Sequence, residues 1–138
     1  MAGLKLKIVT PERVVYEAAV DSVTLPTTNG ELTILKDHIP LVAKLQAGEI
    51  RTRVGNDEAL LAVSTGFVEV RPGNEIIILA DTADLADELD LKKIEEARDR
   101  AKALLEEKRL VDDEAFAAAA AALERELARY KVASKKRR

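Results

Sequence analysis

The sequence contains no cysteine, and this absence removes several kinds of chemistry. Disulfides, thiolate zinc sites and thiol nucleophiles are all excluded in these 138 residues. Aromatic residues make up only 3% of the chain, too few for a platform on which single-stranded bases could stack. No signal peptide and no run of about 18 apolar residues is found. We therefore expect a soluble protein, or one attached to a membrane only through partners.

Histidine is almost as scarce, since His38 is the only one. A catalytic arrangement with Ser22 or Ser64 would need a nucleophile elbow, which the sequence lacks. A single histidine before Ile-Pro in a turn is typical of a structural or interface residue. The acidic stretch 81–88 also lacks the ligand register and central glycine of a calcium-binding loop. The sequence thus predicts no catalytic residue and no metal site.

The residues that are present divide the chain into two halves of different periodicity. From Leu4 to Leu79, apolar and polar residues alternate in short runs, which is typical of β-strands. Turn signals such as Thr28-Asn29-Gly30 and Pro72-Gly73-Asn74 separate these runs. Short strands at this spacing favour an all-β sandwich or barrel over alternating β and α units.

The pattern changes after Leu79. Residues 80–89 are rich in alanine and aspartate, which indicates a linker or hinge rather than a further strand. Asp90 is a suitable N-cap for a first helix, and Asp112 or Asp113 for a second. The predicted inner face of the first helix comprises Leu91, Ile94, Ala97, Ala101, Leu104 and Leu105. The predicted seam of the second comprises Phe116, Ala120, Leu123, Leu127 and Tyr130.

Two helices joined by a short turn near 109–111 should form an antiparallel hairpin. We therefore predict an α+β protein, in which a β-sandwich domain at 1–80 is followed by an acidic linker at 81–89. A helical hairpin with a frayed basic tail then occupies 90–138.

Six consecutive alanines, Ala117 to Ala122, lie in the second helix. Alanine has the highest helix propensity but buries only one methyl group, so this helix is intrinsically stable yet weakly held by its neighbours. One interpretation is that small residues let two helices pack closely. The other is that the helix can detach without melting.

Charge is unevenly distributed although the net charge is only −3. Residues 81–99 hold eight acids and three bases, whereas the last fourteen residues hold seven bases and one acid. Such a tail can bind nucleic acid by counterion release, an anionic membrane surface, or an acidic protein. Charge runs at chain ends are most often simply solvated.

The stretches "GELTILKDHIPLVAKLQAGEIR" (30–51) and "STGFVEV" (64–70) resemble the signature of the epsilon subunit of the F-type ATP synthase. The similarity extends through "IVTPERVVYEAAVDSVTLPTTNGE" and covers the whole chain. It implies a ten-stranded β-sandwich followed by a helical hairpin. It also implies a non-catalytic rotor subunit, peripheral on the cytoplasmic face of a bacterial plasma membrane, with no nucleic-acid partner.

The resemblance also implies two sets of partner contacts. The sandwich would dock on the gamma subunit and the c-ring, and the hairpin would fold against the sandwich or extend to the alpha and beta subunits and block ATP hydrolysis. On the gamma and c-ring side the matching residues are Gly30, His38, Pro40 and Leu41. On the alpha and beta side they are Arg125, Arg129 and Lys131.

Some bacterial members of that family bind ATP on the folded hairpin, and part of their pattern is present here. The resemblance implies a regulatory ATP site formed by Asp90, Lys93, Arg100, Arg125 and Arg129, with no required cofactor. Lys93 stands where the family pattern has arginine, and lysine lacks the planar fork that binds phosphate in a bidentate manner.

Overall fold

A computed structural model describes residues 3–108 and 113–136 and confirms the predicted α+β architecture. Ten strands precede one short 3-10 helix and two α-helices. The strands are β1 (Leu4–Val9), β2 (Val14–Val20), β3 (Ser22–Thr27), β4 (Gly30–Leu35), β5 (Leu41–Leu45), β6 (Gly48–Val54), β7 (Asp57–Val63), β8 (Gly66–Arg71), β9 (Glu75–Ala80) and β10 (Ala83–Leu85). The 3-10 helix is Ala86–Glu88, and the α-helices are α1 (Leu91–Lys108) and α2 (Asp113–Lys136).

The strands form one ordered sheet that folds over on itself as a sandwich. Their order is β10-β7-β6-β3-β5-β8-β9-β1-β2, and β4 pairs with β3. All pairings are antiparallel among the described strands except β1 with β9, which is parallel. Alternate residues of each strand point inward, as in Leu4, Leu6 and Ile8 of β1, which are fully buried. The main core cluster consists of sandwich residues alone.

One strand lies where the sequence predicted a linker. Ala83–Leu85 pairs antiparallel with Leu61–Val63 of β7, so the interpretation of 81–89 as a linker outside the sheet is wrong for these residues. The acidic composition suggested a linker, but Ala83 faces the core while Asp84 points outward. This alternation is the period of two that is typical of a strand. An edge strand tolerates an acid on its outer face.

Helix α1 begins as the sequence predicted. The Asp90 carboxylate accepts hydrogen bonds from the backbone N–H groups of Lys92 (3.1 Å) and Lys93 (3.3 Å), which makes it the N-cap. The guanidinium of Arg98 lies 4.7 Å from the ring centroid of Tyr130. The first half of α1 therefore lies beside the last half of α2, and the hairpin is antiparallel. The predicted turn at 109–111 falls outside the described residues.

The predicted seam of α2 is wrong at two of its five residues, since Ala120, Leu123 and Tyr130 are partly buried but Phe116 and Leu127 are exposed. The exposed fractions of Phe116 and Leu127 are 37% and 42%, whereas Ala119, Ala128 and Val132 are buried. The physical reason is that α2 has two neighbours, since it contacts both α1 and strands β6 and β7. A single heptad stripe describes a helix with one partner only.

Gly66 marks a point where two strands approach too closely for a side chain. A Cβ atom at this position would lie 2.8 Å from Ala80 Cα and overlap the carbonyl oxygen of Leu79. We expect Gly66→Ala to lower the free energy of unfolding by about 1–3 kcal/mol, because β8 and β9 must separate. Urea denaturation measures this change.

The matched control is Thr65→Ala, a change at the exposed neighbouring residue. It should shift the free energy of unfolding by no more than about 0.5 kcal/mol. Equal effects of the two substitutions would contradict the steric explanation.

Candidate functional site

A cleft of 450 Å³ lies between the helical hairpin and the edge of the sandwich. The cleft is shallow and widely open to solvent. The hairpin contributes the start of α1 and the middle of α2, and the sandwich contributes β10 and the 3-10 helix. The charged side chains that line it are Asp84, Glu88, Asp90, Lys93, Arg100, Glu126 and Arg129.

The cleft unites four of the five residues predicted for the ATP site. Asp90 is the N-cap of α1, Lys93 and Arg100 project from α1, and Arg129 projects from α2. Arg125 lies one helical turn before Arg129 but does not line the cleft. Its Nε is 3.9 Å from Glu126 Oε1. Helical spacing from the Asp90 cap places residues 93, 97 and 100 on one face, which explains why they meet here.

Arg129 joins the hairpin to the sandwich within this cleft. Its Nε donates to Asp84 Oδ2 at 2.7 Å, and its Nη1 donates to Glu126 Oε1 at 2.7 Å. Burial alone would lower the pKa of Arg129, but the hydrogen bonds and charges of Asp84 and Glu126 outweigh burial and raise the pKa above its usual value. The guanidinium is therefore always charged and its charge is compensated by two carboxylates.

Sequence reasoning missed both of these carboxylates. The spacing of Glu126 and Arg129, three residues apart on a helix, was a visible signal for an ion pair. Asp84 lies 45 residues before Arg129, and no local pattern predicts that contact.

The electrostatic balance of the cleft is close to neutral. Four carboxylates face three cations. Glu88 is paired with Arg13 at 2.9 Å, and Asp84 and Glu126 are paired with Arg129. Neither Lys93 nor Arg100 has an ion-pair partner within 3–108 and 113–136. These two cations are thus the groups in the cleft that can bind an anion without first breaking an ion pair.

The residues predicted for the gamma and c-ring side do not form one patch. His38, Pro40 and Leu41 lie at one end of β4 and β5, and Gly30 lies at the other end of β4. Five strand residues separate the two ends by about 17 Å. Gly30 has φ +114°, which explains the glycine at this turn.

The loop that carries His38 is fixed by polar contacts. His38 Nδ1 is 2.7 Å from the carbonyl oxygen of Ile39, and the backbone N–H of Asp37 donates to Asn74 Oδ1 at 2.6 Å. Asp37 and Asn74 both adopt positive φ, at 66° and 62°. This rigid loop presents Ile39 to solvent with 73% of its surface exposed.

An apolar patch continues from this loop across the outer face of the sheet. We call Val42, Phe67 and Leu79 the outer apolar patch. Phe67 lies directly opposite Leu79, and Val42 is two positions from the residue that faces Phe67. All three are more than half exposed. Exposed apolar side chains that cluster in this way indicate a protein-binding surface.

The residues predicted to contact the alpha and beta subunits differ in their accessibility when the hairpin lies against the sandwich. Lys131 is exposed, whereas Arg129 points into the cleft and is paired there. In this conformation the basic face of α2 is therefore only partly available to another protein.

Comparison with known proteins defines the class. Residues 3–86 match the domain described as ATP synthase, Delta/Epsilon chain, beta-sandwich domain. None of the described helices is long and apolar enough to cross a membrane. The fold and this match place the protein among the delta/epsilon chains of ATP synthases.

Similar sequences narrow the class to one family. The ATP synthase epsilon chain of Dehalococcoides mccartyi is 45% identical over 138 residues, 100% of this chain and 97% of that protein. The ATP synthase epsilon chain of Moorella thermoacetica is 45% identical over 134 residues, 96% of this chain and 98% of that protein. The chain belongs to the ATP synthase epsilon chain family.

Solved structures share the fold at lower sequence identity. A chain of the Euglena gracilis mitochondrial ATP synthase, OSCP/F1/c-ring, superposes with a TM-score of 0.77 at 21% identity, over 100% of this chain and 83% of that one. A chain of the Tetrahymena thermophila mitochondrial ATP synthase central stalk/c-ring gives 0.57 at 18% identity, over 97% and 96%. Both therefore share the overall fold of this chain.

Arg129 should be important for the position of the hairpin. We expect Arg129→Met to lower the free energy of unfolding by about 1–3 kcal/mol, because Asp84 and Glu126 lose their cation in a partly buried site. Thermal or urea unfolding measures the loss. A second change, Asp84→Asn, should restore part of it by removing one of the uncompensated carboxylates.

Lys131→Met is the matched control, since Lys131 is an exposed cation on the same helix. A similar loss in this variant would show that the effect comes from the charge of α2 as a whole and not from the Arg129 ion pairs.

Proposed function

We propose that this protein is a non-catalytic rotor subunit in the central stalk of a membrane-associated, proton-translocating F-type ATP synthase. In this role it couples proton flow to ATP synthesis, and its hairpin restrains ATP hydrolysis. The observation that carries the proposal is 45% identity to an ATP synthase epsilon chain over all 138 residues, so the sandwich and the hairpin are both included. The expected place of the complex is the cytoplasmic face of a bacterial plasma membrane.

The sandwich supplies the anchor in this proposal. Its core contains no hairpin residue, so it can transmit torque without depending on the position of the helices. The outer apolar patch and the His38 loop are the surfaces proposed for the gamma subunit and the c-ring. Their exposed apolar side chains favour a permanent protein partner.

The hairpin supplies the regulation. In the observed conformation it lies against β6 and β7, and Arg129 is bound to the sandwich. Contact with the alpha and beta subunits through Arg125, Arg129 and Lys131 therefore requires the hairpin to leave this position. The docked conformation is proposed as the state that permits hydrolysis.

A pull-down with the gamma subunit tests the anchor. We expect Val42→Glu to reduce retention of gamma at least about tenfold, because the new charge would be desolvated in an apolar interface. Thr33→Glu is the control, since Thr33 is exposed on β4 outside the outer apolar patch. Failure of the unmodified chain to retain gamma would overturn the rotor assignment.

The same assay tests the hairpin when it is combined with ATPase measurements. A chain that lacks residues 88–138 should retain gamma, because its core is complete, and should raise the ATPase activity of the complex. Retention of gamma with unchanged ATPase activity would remove the inhibitory part of the proposal and leave the rotor part intact.

A second candidate function, ATP sensing, rests on the cleft. Lys93 and Arg100 flank the 450 Å³ volume without ion-pair partners among the described residues. A ligand that binds only the docked hairpin stabilises it by RT ln(1 + [L]/Kd), about 2.7 kcal/mol at a hundredfold excess. We propose that ATP acts in this way as a regulatory ligand and not as a required cofactor.

Titration with ATP while the unfolding midpoint is followed tests this second function. We expect millimolar ATP to raise Tm, and Arg100→Gln to abolish the rise with little change in Tm without nucleotide, because Arg100 is exposed. Lys93→Arg should strengthen binding, since arginine can bind phosphate in a bidentate manner.

Lys102→Gln is the matched control, because Lys102 is an exposed cation of α1 that does not line the cleft. An unchanged Tm of the unmodified chain at millimolar ATP would contradict ATP sensing. If Arg100→Gln and Lys102→Gln reduced the ATP-dependent rise in Tm equally, the rise would reflect nonspecific electrostatic attraction.

A further inference from the structure

A second ion pair joins the hairpin to the sandwich, away from the cleft. The Lys135 Nζ atom near the end of α2 lies 3.0 Å from Glu49 Oε1 and 2.8 Å from Glu49 Oε2 on β6. The Glu49 side chain is only 4% exposed. Lys135 is the closer of the two cations beside this buried carboxylate, since Arg51 lies 3.5 Å away, so the loss of Lys135 leaves Glu49 less well compensated in the docked position of α2.

The two ion pairs hold α2 at separate points. Arg129 contacts Asp84 of β10, and Lys135 contacts Glu49 of β6. Six helical residues place the two cations about 9 Å apart along the axis. Two such points fix both the location and the direction of the helix on the sheet.

The apolar part of this contact is small. Helical spacing places Ala128 and Val132 on the same face of α2 as Lys135, and both are buried. Ala133 is buried beside them, and one valine with two alanines buries less apolar area than three leucines would. The ion pairs therefore add a second, polar contribution to the attachment.

In each of the two ion pairs, one residue also has a second ion-pair partner within its own part of the protein, either the sandwich or the hairpin. Arg51 Nη1 lies 3.5 Å from Glu49 Oε1 within the sandwich, and Glu126 binds Arg129 within α2. When the hairpin leaves, Glu49 retains Arg51 and Arg129 retains Glu126. Asp84 and Lys135 become free to be hydrated, so undocking leaves no buried unpaired charge.

We propose that Glu49 with Lys135 and Asp84 with Arg129 form a two-point electrostatic latch that holds the hairpin reversibly on the sandwich. The inference rests on the proposed mobility of the hairpin and specifies what controls it. Both pairs are closer than 3 Å and at least partly buried, so salt screens them less than it screens exposed charges.

Spin-label distance measurements on the isolated full-length chain test the latch. The chain has no cysteine, so thiols introduced at the exposed positions Asn56 and Ala121 are its only labelling sites. We expect Lys135→Ala to raise the ratio of undocked to docked hairpin about tenfold, the size typical of a lost charged hydrogen bond. Glu49→Gln should raise it comparably, and the double variant should be less than additive.

Lys131→Ala is the matched control, because it removes the same charge from an exposed position one turn earlier on α2. An undocked fraction that is equal in Lys135→Ala and Lys131→Ala would overturn the latch. Circular dichroism of each variant establishes that it is folded, and Glu49→Gln decides the outcome if Lys135→Ala is not. The test contains neither gamma nor ATP, so a negative result leaves the proposed rotor function standing.

Discussion

The main hydrophobic core cluster of this protein lies within the sandwich, and this constraint shapes what the rest of the chain can do. The eighteen buried residues of the core cluster lie between Leu4 and Ala83, and none comes from α1 or α2. The core cluster is therefore complete within the sandwich. The proposed movement of the hairpin removes no residue from this cluster.

Much of the fold was predictable because strands and helix caps have local signatures. The period of two indicated the β half, and Asp90 was identified as an N-cap from its position before the periodic residues of α1. Strand β10 and the buried face of α2 were not predicted. Both depend on neighbours distant in sequence: Asp84 is accommodated by Arg129, and α2 packs against two elements at once.

The ATP site stays a prediction, and the structure shows only how the residues named for it are arranged. The family resemblance indicated Asp90, Lys93, Arg100 and Arg129, and the cleft brings these four together. Sequence alone could not show that Arg129 is already bound to two carboxylates. A phosphate that uses Arg129 must compete with Asp84 and Glu126, so Lys93 and Arg100 are the natural first contacts of an anion.

The small number of contacts that hold α2 also explains the run of alanines in this helix. Ala117, Ala118 and Ala121 are exposed, while Ala119 and Ala128 are buried, so α2 is held at few points and must be helical by intrinsic propensity elsewhere. Leucines along the docked face would fasten the helix more tightly, but each departure would then expose an apolar patch prone to association. Charged groups such as Lys135 are readily hydrated when released. In the proposed cycle of docking and release, a contact made of alanine and ion pairs therefore exposes little apolar surface.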